Sequence, residues 1–151
     1  MNGPTRILAV SSGGGHWVQI KRLLPAFAGH QVCFATTDPD GRWDVAPAPF
    51  FQLPDANRST KFRLLILLTR LAWIIIRTRP SVVITTGAAP GYFAVRIGRL
   101  FGARTLFLDS VANAERLSLS AKLAKPHAHV TLTQWPHLAP QEGARYWGGT
   151  L

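Results

Sequence analysis

Apolar and polar positions follow two different periods along this chain, and the two take turns. Residues 6–11 form a short run, Ile7, Leu8, Ala9 and Val10 between Arg6 and Ser11, that reads as a strand. After Ser12, Gly13, Gly14, Gly15 and His16 the apolar residues fall at Trp17, Ile20, Leu23, Leu24 and Phe27, a helical spacing that Gly29 stops. Residues 31–36 predict a second strand, and 50–53 a short third one. Between them, 37–49 collects Pro, Gly and Asp and predicts a loop. A further loop over 54–60 offers Ser59 or Thr60 as a cap for a long helix from Lys61 to Thr78, which Pro80 ends. The continuous apolar run at 81–86 predicts a strand buried on both faces. A helix over 92–101 with Gly102 behind it, a strand at 104–109, a short helix at 117–124, a strand at 129–133 and a last extended piece at 145–147 complete the series.

Strands alternating with helices through short connections predict a Rossmann-like α/β fold. The sheet is mostly parallel, with helices on both faces. The chain of 151 residues is long enough for one such domain over 1–151 with its own core. Ligands of such sheets bind outside the carboxyl ends of the strands, which directs attention to the loops after each strand.

Composition narrows the class. One cysteine, Cys33, builds no disulfide framework, and its apolar surroundings predict a buried, inert thiol. Lys and Arg number 17 against 7 acidic residues, for a net charge of +10, which favours an anionic partner. The basic residues are spread along helices without a nucleic-acid-binding motif, so nucleic acid is disfavoured. The opening residues have no signal-peptide pattern. The longest apolar stretch, 64–76, is broken by Arg70 and falls short of the ~20 residues a spanning helix requires, so no transmembrane segment is predicted.

Four places carry candidate chemistry. Ser12, Gly13, Gly14 and Gly15 lie between a strand and a helix, where successive backbone N–H groups and the helix N-terminus can cradle a phosphate or diphosphate. The loop lacks the Gly-Lys-Ser/Thr of a P-loop and the third glycine of a dinucleotide fingerprint. The plainer alternative is a tight turn that needs glycines for positive φ. His16 opens the helix and is a candidate general base, histidine being the side chain that titrates near neutral pH. Taken alone, it is more readily a cap or a merely exposed histidine. Thr86 and Gly87 form a second strand-to-helix glycine turn at the same sheet edge. Asp109 and Ser110 end a strand and lead to Glu115, Ser118 and Ser120. Asp109 there can bind a hydroxyl or cap a turn, and the serines are commonly capping. His127, His129 and His137 lack zinc-like spacing, so no metal site is predicted.

The long helix is apolar on nearly every side. Lys61, Arg63, Arg70, Arg77 and Arg79 bracket it, and Trp73 suits a bilayer interface. This pattern fits a helix lying on an anionic membrane surface, or one buried against a partner protein.

Taken in order, these residues resemble a known family. The Gly-Gly-His loop after the first strand is similar to the N-terminal half of the GT-B glycosyltransferases. Thr86-Gly87-Ala88-Ala89-Pro90, Asp109-Ser110 through Leu117-Ser118-Leu119-Ser120-Ala121-Lys122, and Gln134-Trp135-Pro136 followed by Tyr146-Trp147-Gly148 resemble a particular subunit. It is the acceptor-side, membrane-associated subunit of two-component UDP-GlcNAc transferases (the asparagine-linked glycosylation protein fourteen family), which has bacterial exopolysaccharide counterparts. The chain departs from that family's usual pattern in having Asp109 for Glu, Asn113 for Arg and Ala121 for Gly. The missing Arg removes an anion contact.

The resemblance implies half of a split GT-B enzyme, inactive without its mate. This half holds a polyprenyl-diphosphate-linked acceptor and docks peripherally on the cytoplasmic face of a membrane. A separate subunit binds the UDP-sugar, and no other cofactor is expected. The resemblance places the acceptor diphosphate at Gly13, Gly14, Gly15 and His16. Acceptor or interface roles fall to Thr86, Gly87, Asp109, Ser110, Glu115, Ser118, Ser120, Gln134 and Trp135. The alternative is a non-catalytic membrane scaffold that recruits the catalytic subunit.

Overall fold

The computed structural model describes residues 3–56 and 59–150, so Asn57 and Arg58 of the predicted 54–60 loop lie outside the described residues. Among the described residues seven strands form one sheet: β1 (Arg6–Ser11), β2 (Gln31–Thr36), β3 (Phe50–Gln52), β4 (Val82–Thr85), β5 (Arg104–Leu108), β6 (Val130–Thr133) and β7 (Arg145–Tyr146). Their order is β3-β2-β1-β4-β5-β6-β7, and every neighbouring pair is parallel.

Six α-helices of the described residues connect the strands: α1 (Gly15–Arg22), α2 (Gly41–Val45), α3 (Lys61–Thr78), α4 (Ala88–Leu100), α5 (Leu119–Ala124) and α6 (Leu138–Glu142). Side chains alternate across β1, and this sorts the core into two layers. Ile7 and Ala9 pack with Trp17 and Ile20 of α1 and with Phe34. Leu8 and Val10 pack with Leu67, Leu71, Ile74 and Ile75 of α3 and with Ala94 and Ile97 of α4. The helix α1 therefore covers one face, and α3 and α4 cover the other. A third cluster seats α5 on α4 through Leu117, Ala121, Ala124, Val95 and Phe107.

The expected fold class is the observed one, and α3 has the predicted bounds. The differences are local. Pro25 ends α1 at Arg22, and Leu24–Phe27 continues as a 3₁₀ turn. The helix α4 starts at Ala88 rather than at Tyr92, because Pro90 falls within its first turn, where the missing N–H has no acceptor anyway. Within the predicted 37–49 loop Gly41–Val45 is helical, and Leu138–Glu142 is a second unpredicted helix. Five residues are too few to show a period.

Strand order decides where a ligand can lie. From β1 the chain turns through α1 to β2 on one side, and from β4 it turns through α4 to β5 on the other. The loops after β1 and β4 thus diverge, leaving a crevice at the carboxyl edge between two adjacent strands.

Candidate functional site

The glycine loop opens this crevice. The strand β1 ends on Ser11, whose hydroxyl is fully buried and has no partner. The Gly13 N–H donates to Thr37 Oγ1 at 2.8 Å, which anchors the loop to the end of β2. Gly14 sits at φ 63°, ψ −134° and starts α1. A Cβ on Gly14 or Gly15 would meet nothing within 4 Å, so their backbone faces open space. The first turn of α1 has N–H groups without intrahelical acceptors and the positive end of the helix dipole, both suited to an anion.

His16 is held by the second glycine turn. Its Nδ1 lies 2.8 Å from the Thr86 carbonyl, and Thr86 Oγ1 donates back to the His16 carbonyl at 2.7 Å. A carbonyl only accepts, so Nδ1 carries the hydrogen and Nε2 is left as the free basic nitrogen of the neutral ring. Gly87, at φ 129°, permits this contact: a Cβ there would stand 2.9 Å from His16 Cε1. The next residue, Ala88, takes φ 63°, an uncommon conformation for a side chain with a Cβ, and it lines the cleft beside His16.

That cleft has a volume of about 280 Å³. His16 and Ala88 form one wall, and Ser110, Asn113, Ser118 and Ser120 form the other. Ser118 caps α5, its Oγ accepting from the Ala121 N–H at 3.0 Å. The cleft shares Leu119 and Ser120 with an apolar groove of about 200 Å³ between α3, α4 and α5. Leu64, Tyr92, Phe93 and Leu123 complete the groove's walls.

Other predicted site residues serve the frame rather than the cleft surface. Asp109 is 2% exposed, and both its carboxylate oxygens are engaged: Oδ1 accepts from Asn113 Nδ2 at 3.1 Å and Oδ2 from the Ser118 N–H at 2.8 Å. It braces the 110–117 loop that forms the far wall. Buried Gln134 donates from Nε2 to Gln19 Oε1 (2.7 Å) and to the Asp109 carbonyl (2.9 Å). Gln19 Nε2 in turn donates to Ser110 Oγ at 3.1 Å. Trp135 donates from its indole to the Val111 carbonyl at 2.8 Å, and Glu115 is exposed. Sequence reading missed Gln19. Its only sign is a polar residue among the apolar positions of α1.

The remaining candidates lie on α3, across the sheet from α1. Phe62, Leu65, Ile66, Trp73 and Ile76 are exposed along its outer side, as are Lys61, Arg63 and Arg77, with Arg79 just past its end. Arg70 stacks on Trp73 at 5.0 Å, and Trp73 meets Phe51 of β3 edge-on at 6.0 Å. Among the described residues no helix is long and apolar enough to cross a membrane, and no cluster of His, Cys, Asp or Glu is suited to a metal. Cys33 is half-buried, and burial pushes its thiol up, away from the reactive thiolate.

Comparison with known proteins agrees with this layout. The family model described as "Oligosaccharide biosynthesis protein Alg14 like" matches residues 54–151. The UDP-N-acetylglucosamine transferase subunit ALG14 of Eremothecium gossypii is 34% identical over 82 residues, which are 50% of this chain and 37% of that protein. The crystal structure of Acinetobacter baumannii MurG superposes with a TM-score of 0.73 at 16% identity, covering 89% of this chain and 43% of MurG. A UDP-N-acetylglucosamine 2-epimerase from Rickettsia bellii gives 0.75 at 10% identity, covering 97% of this chain and 45% of the epimerase. The chain spans less than half the length of each, and the two structural likenesses speak to the fold alone.

Proposed function

Because the chain belongs to the Alg14-like family of oligosaccharide biosynthesis proteins, we propose that it is the acceptor-binding, membrane-associating subunit of a two-component glycosyltransferase. It receives a sugar from a UDP-sugar held by a separate donor-binding subunit and directs it onto a lipid-diphosphate-linked saccharide. One observation carries this reading: the polar cleft at His16 adjoins an apolar groove, the two sharing Leu119 and Ser120 in their walls. The far wall of that groove is Leu64 of α3. A lipid-linked acceptor needs this sequence of environments, with an anion site and a base at one end and an apolar path toward a membrane-facing helix at the other.

In this scheme the diphosphate lies on the open N–H groups of Gly14 and Gly15 at the start of α1. The Thr86 carbonyl fixes the His16 ring so that Nε2 takes the proton of the attacking acceptor hydroxyl. As that proton leaves, the acceptor oxygen bonds to the sugar's anomeric carbon with inversion, and the bond to UDP breaks. The far wall, braced by Asp109, orients the saccharide through Ser110, Ser118 and Ser120. The exposed apolar residues of α3, flanked by Lys61, Arg63 and Arg77, rest on an anionic membrane surface.

The test is co-purification with a donor-binding partner and an assay of transfer from UDP-sugars to a polyprenyl-diphosphate saccharide. His16→Ala is expected to lower turnover about 10²–10⁴-fold. Gly14→Asp, which puts a carboxylate beside the anion site, is expected to raise the acceptor KM. Full turnover by both folded variants would leave only the scaffold role.

A further inference from the structure

A second polar and apolar pairing lies at the opposite, amino-terminal edge of the sheet. A cavity of about 490 Å³ opens between the C-terminal ends of α3 and α4. Its lining includes Arg6, Arg79, Ile76 and Phe101 and contains no carboxylate. Arg6 comes from β1, and its Nε donates to the Arg79 carbonyl at 2.8 Å, which aligns the two residues. Arg79 holds a left-handed backbone, φ 46° and ψ 58°, at the end of α3, where glycine is the usual occupant. A single arginine there complements the helix dipole. The C-termini of α3 and α4 bring about half a negative charge each to the cavity and the two guanidinium groups one positive charge each, so the balance there favours an anion. The ion pairs among the described residues, Lys21–Asp44 and Lys122–Glu142, involve neither arginine. Apolar side chains are exposed here too: Ile76 and Phe101 of the lining are 53% and 58% exposed, and Leu100, next to Phe101 along the chain, is 80% exposed.

We propose that this cavity seats the phosphate head group of an anionic phospholipid, with Arg6 and Arg79 on the phosphate and the acyl chains over Ile76, Leu100 and Phe101. The occupant follows from continuity. Ile76 is both a wall of the cavity and the last member of the exposed apolar row on α3. That row begins at Phe62, in the first turn of α3, and Leu64 of the same turn, on the side facing away from Phe62, is a wall of the acceptor groove. A bilayer lying along the 18 residues of α3, about 27 Å, meets the groove at one end and this cavity at the other. The head-group site thereby holds α3 flat and keeps the groove's mouth on the bilayer. The inference rests on the membrane-facing part of the proposed function.

The test is flotation of the full chain with vesicles of phosphatidylcholine, with and without phosphatidylglycerol. Arg79→Gly removes one guanidinium, while glycine adopts the left-handed conformation freely, so its melting temperature should equal or exceed the parent's. It is expected to bind phosphatidylglycerol vesicles about fivefold more weakly. Arg6→Gln, checked for folding by circular dichroism, is expected to do the same. Arg22→Gln, an equal loss of charge on α1 across the sheet, should change binding by less than about twofold. Vesicle binding by Arg79→Gly equal to that of the parent or of Arg22→Gln overturns the head-group site and leaves the membrane reading standing. A parent chain that floats with neither vesicle overturns both. Inorganic phosphate that raises the parent's melting temperature at sub-millimolar concentration, and not that of Arg79→Gly, makes this a soluble-anion site and overturns the lipid assignment.

Discussion

Replacing Gly87 with alanine tests the geometry that holds His16. The position has φ 129° and ψ −167°, a region that only glycine enters freely, and forcing a Cβ into it costs about 1–3 kcal/mol. The added Cβ would also stand 2.9 Å from His16 Cε1 and 3.0 Å from Nδ1, so the ring must move. That movement breaks the 2.8 Å bond from Nδ1–H to the Thr86 carbonyl, a further loss of about 0.5–1.5 kcal/mol. Urea unfolding of Gly87→Ala is therefore expected to show a stability loss of roughly 1.5–4.5 kcal/mol. The same substitution in a His16→Ala background keeps the backbone strain and removes the collision, so the double-mutant cycle should return a coupling of about 1 kcal/mol. Imidazole nitrogen NMR supplies the second readout: the parent should show His16 protonated on Nδ1, and Gly87→Ala should not. Equal destabilisation in both backgrounds, or a parent His16 protonated on Nε2, would refute this account of how the histidine is held.

Further predictions follow from other contacts. Asp109→Ala removes the acceptor of two hydrogen bonds in a buried site and is expected to lower unfolding stability by about 1.5–3 kcal/mol, measured by denaturant titration. On α3, Leu71→Ala is expected to lose about 2–5 kcal/mol because its side chain is fully buried. Leu65→Ser on the exposed side should stay within about 0.5 kcal/mol while weakening vesicle binding. Thermal unfolding and flotation together separate the two faces of the helix. The Trp17 indole and then Lys21 hold the Asp44 carboxyl below its ordinary value of 3.8. Its contribution to stability is present above that value and fades as pH falls through the lowered one. Asp44→Asn should therefore lower the melting temperature slightly near neutrality and flatten its dependence on pH between about pH 5 and pH 2, where the two proteins converge.

The sequence by itself determined the elements and the family. Short apolar runs and helical spacing are local signals, and they placed the seven strands of the described residues to within about one residue at either end and α3 from Lys61 to Thr78. Adjacent residues also wrote out the glycine loop and its histidine. The tertiary structure decided what those residues do together. His16 and Thr86 are 70 positions apart, and they meet only because β1 and β4 pair side by side in the sheet. Nothing in either loop encodes that pairing, since strand order follows from burying whole faces at long range. The same cause turned Asp109 inward to brace a loop and brought Gln19, Ser110 and Gln134 into one network. A helix apolar on nearly every side carries no mark of its outward face. Packing on the sheet chose Leu67, Leu71, Ile74 and Ile75 for the core and left Phe62, Leu65, Trp73 and Ile76 outside.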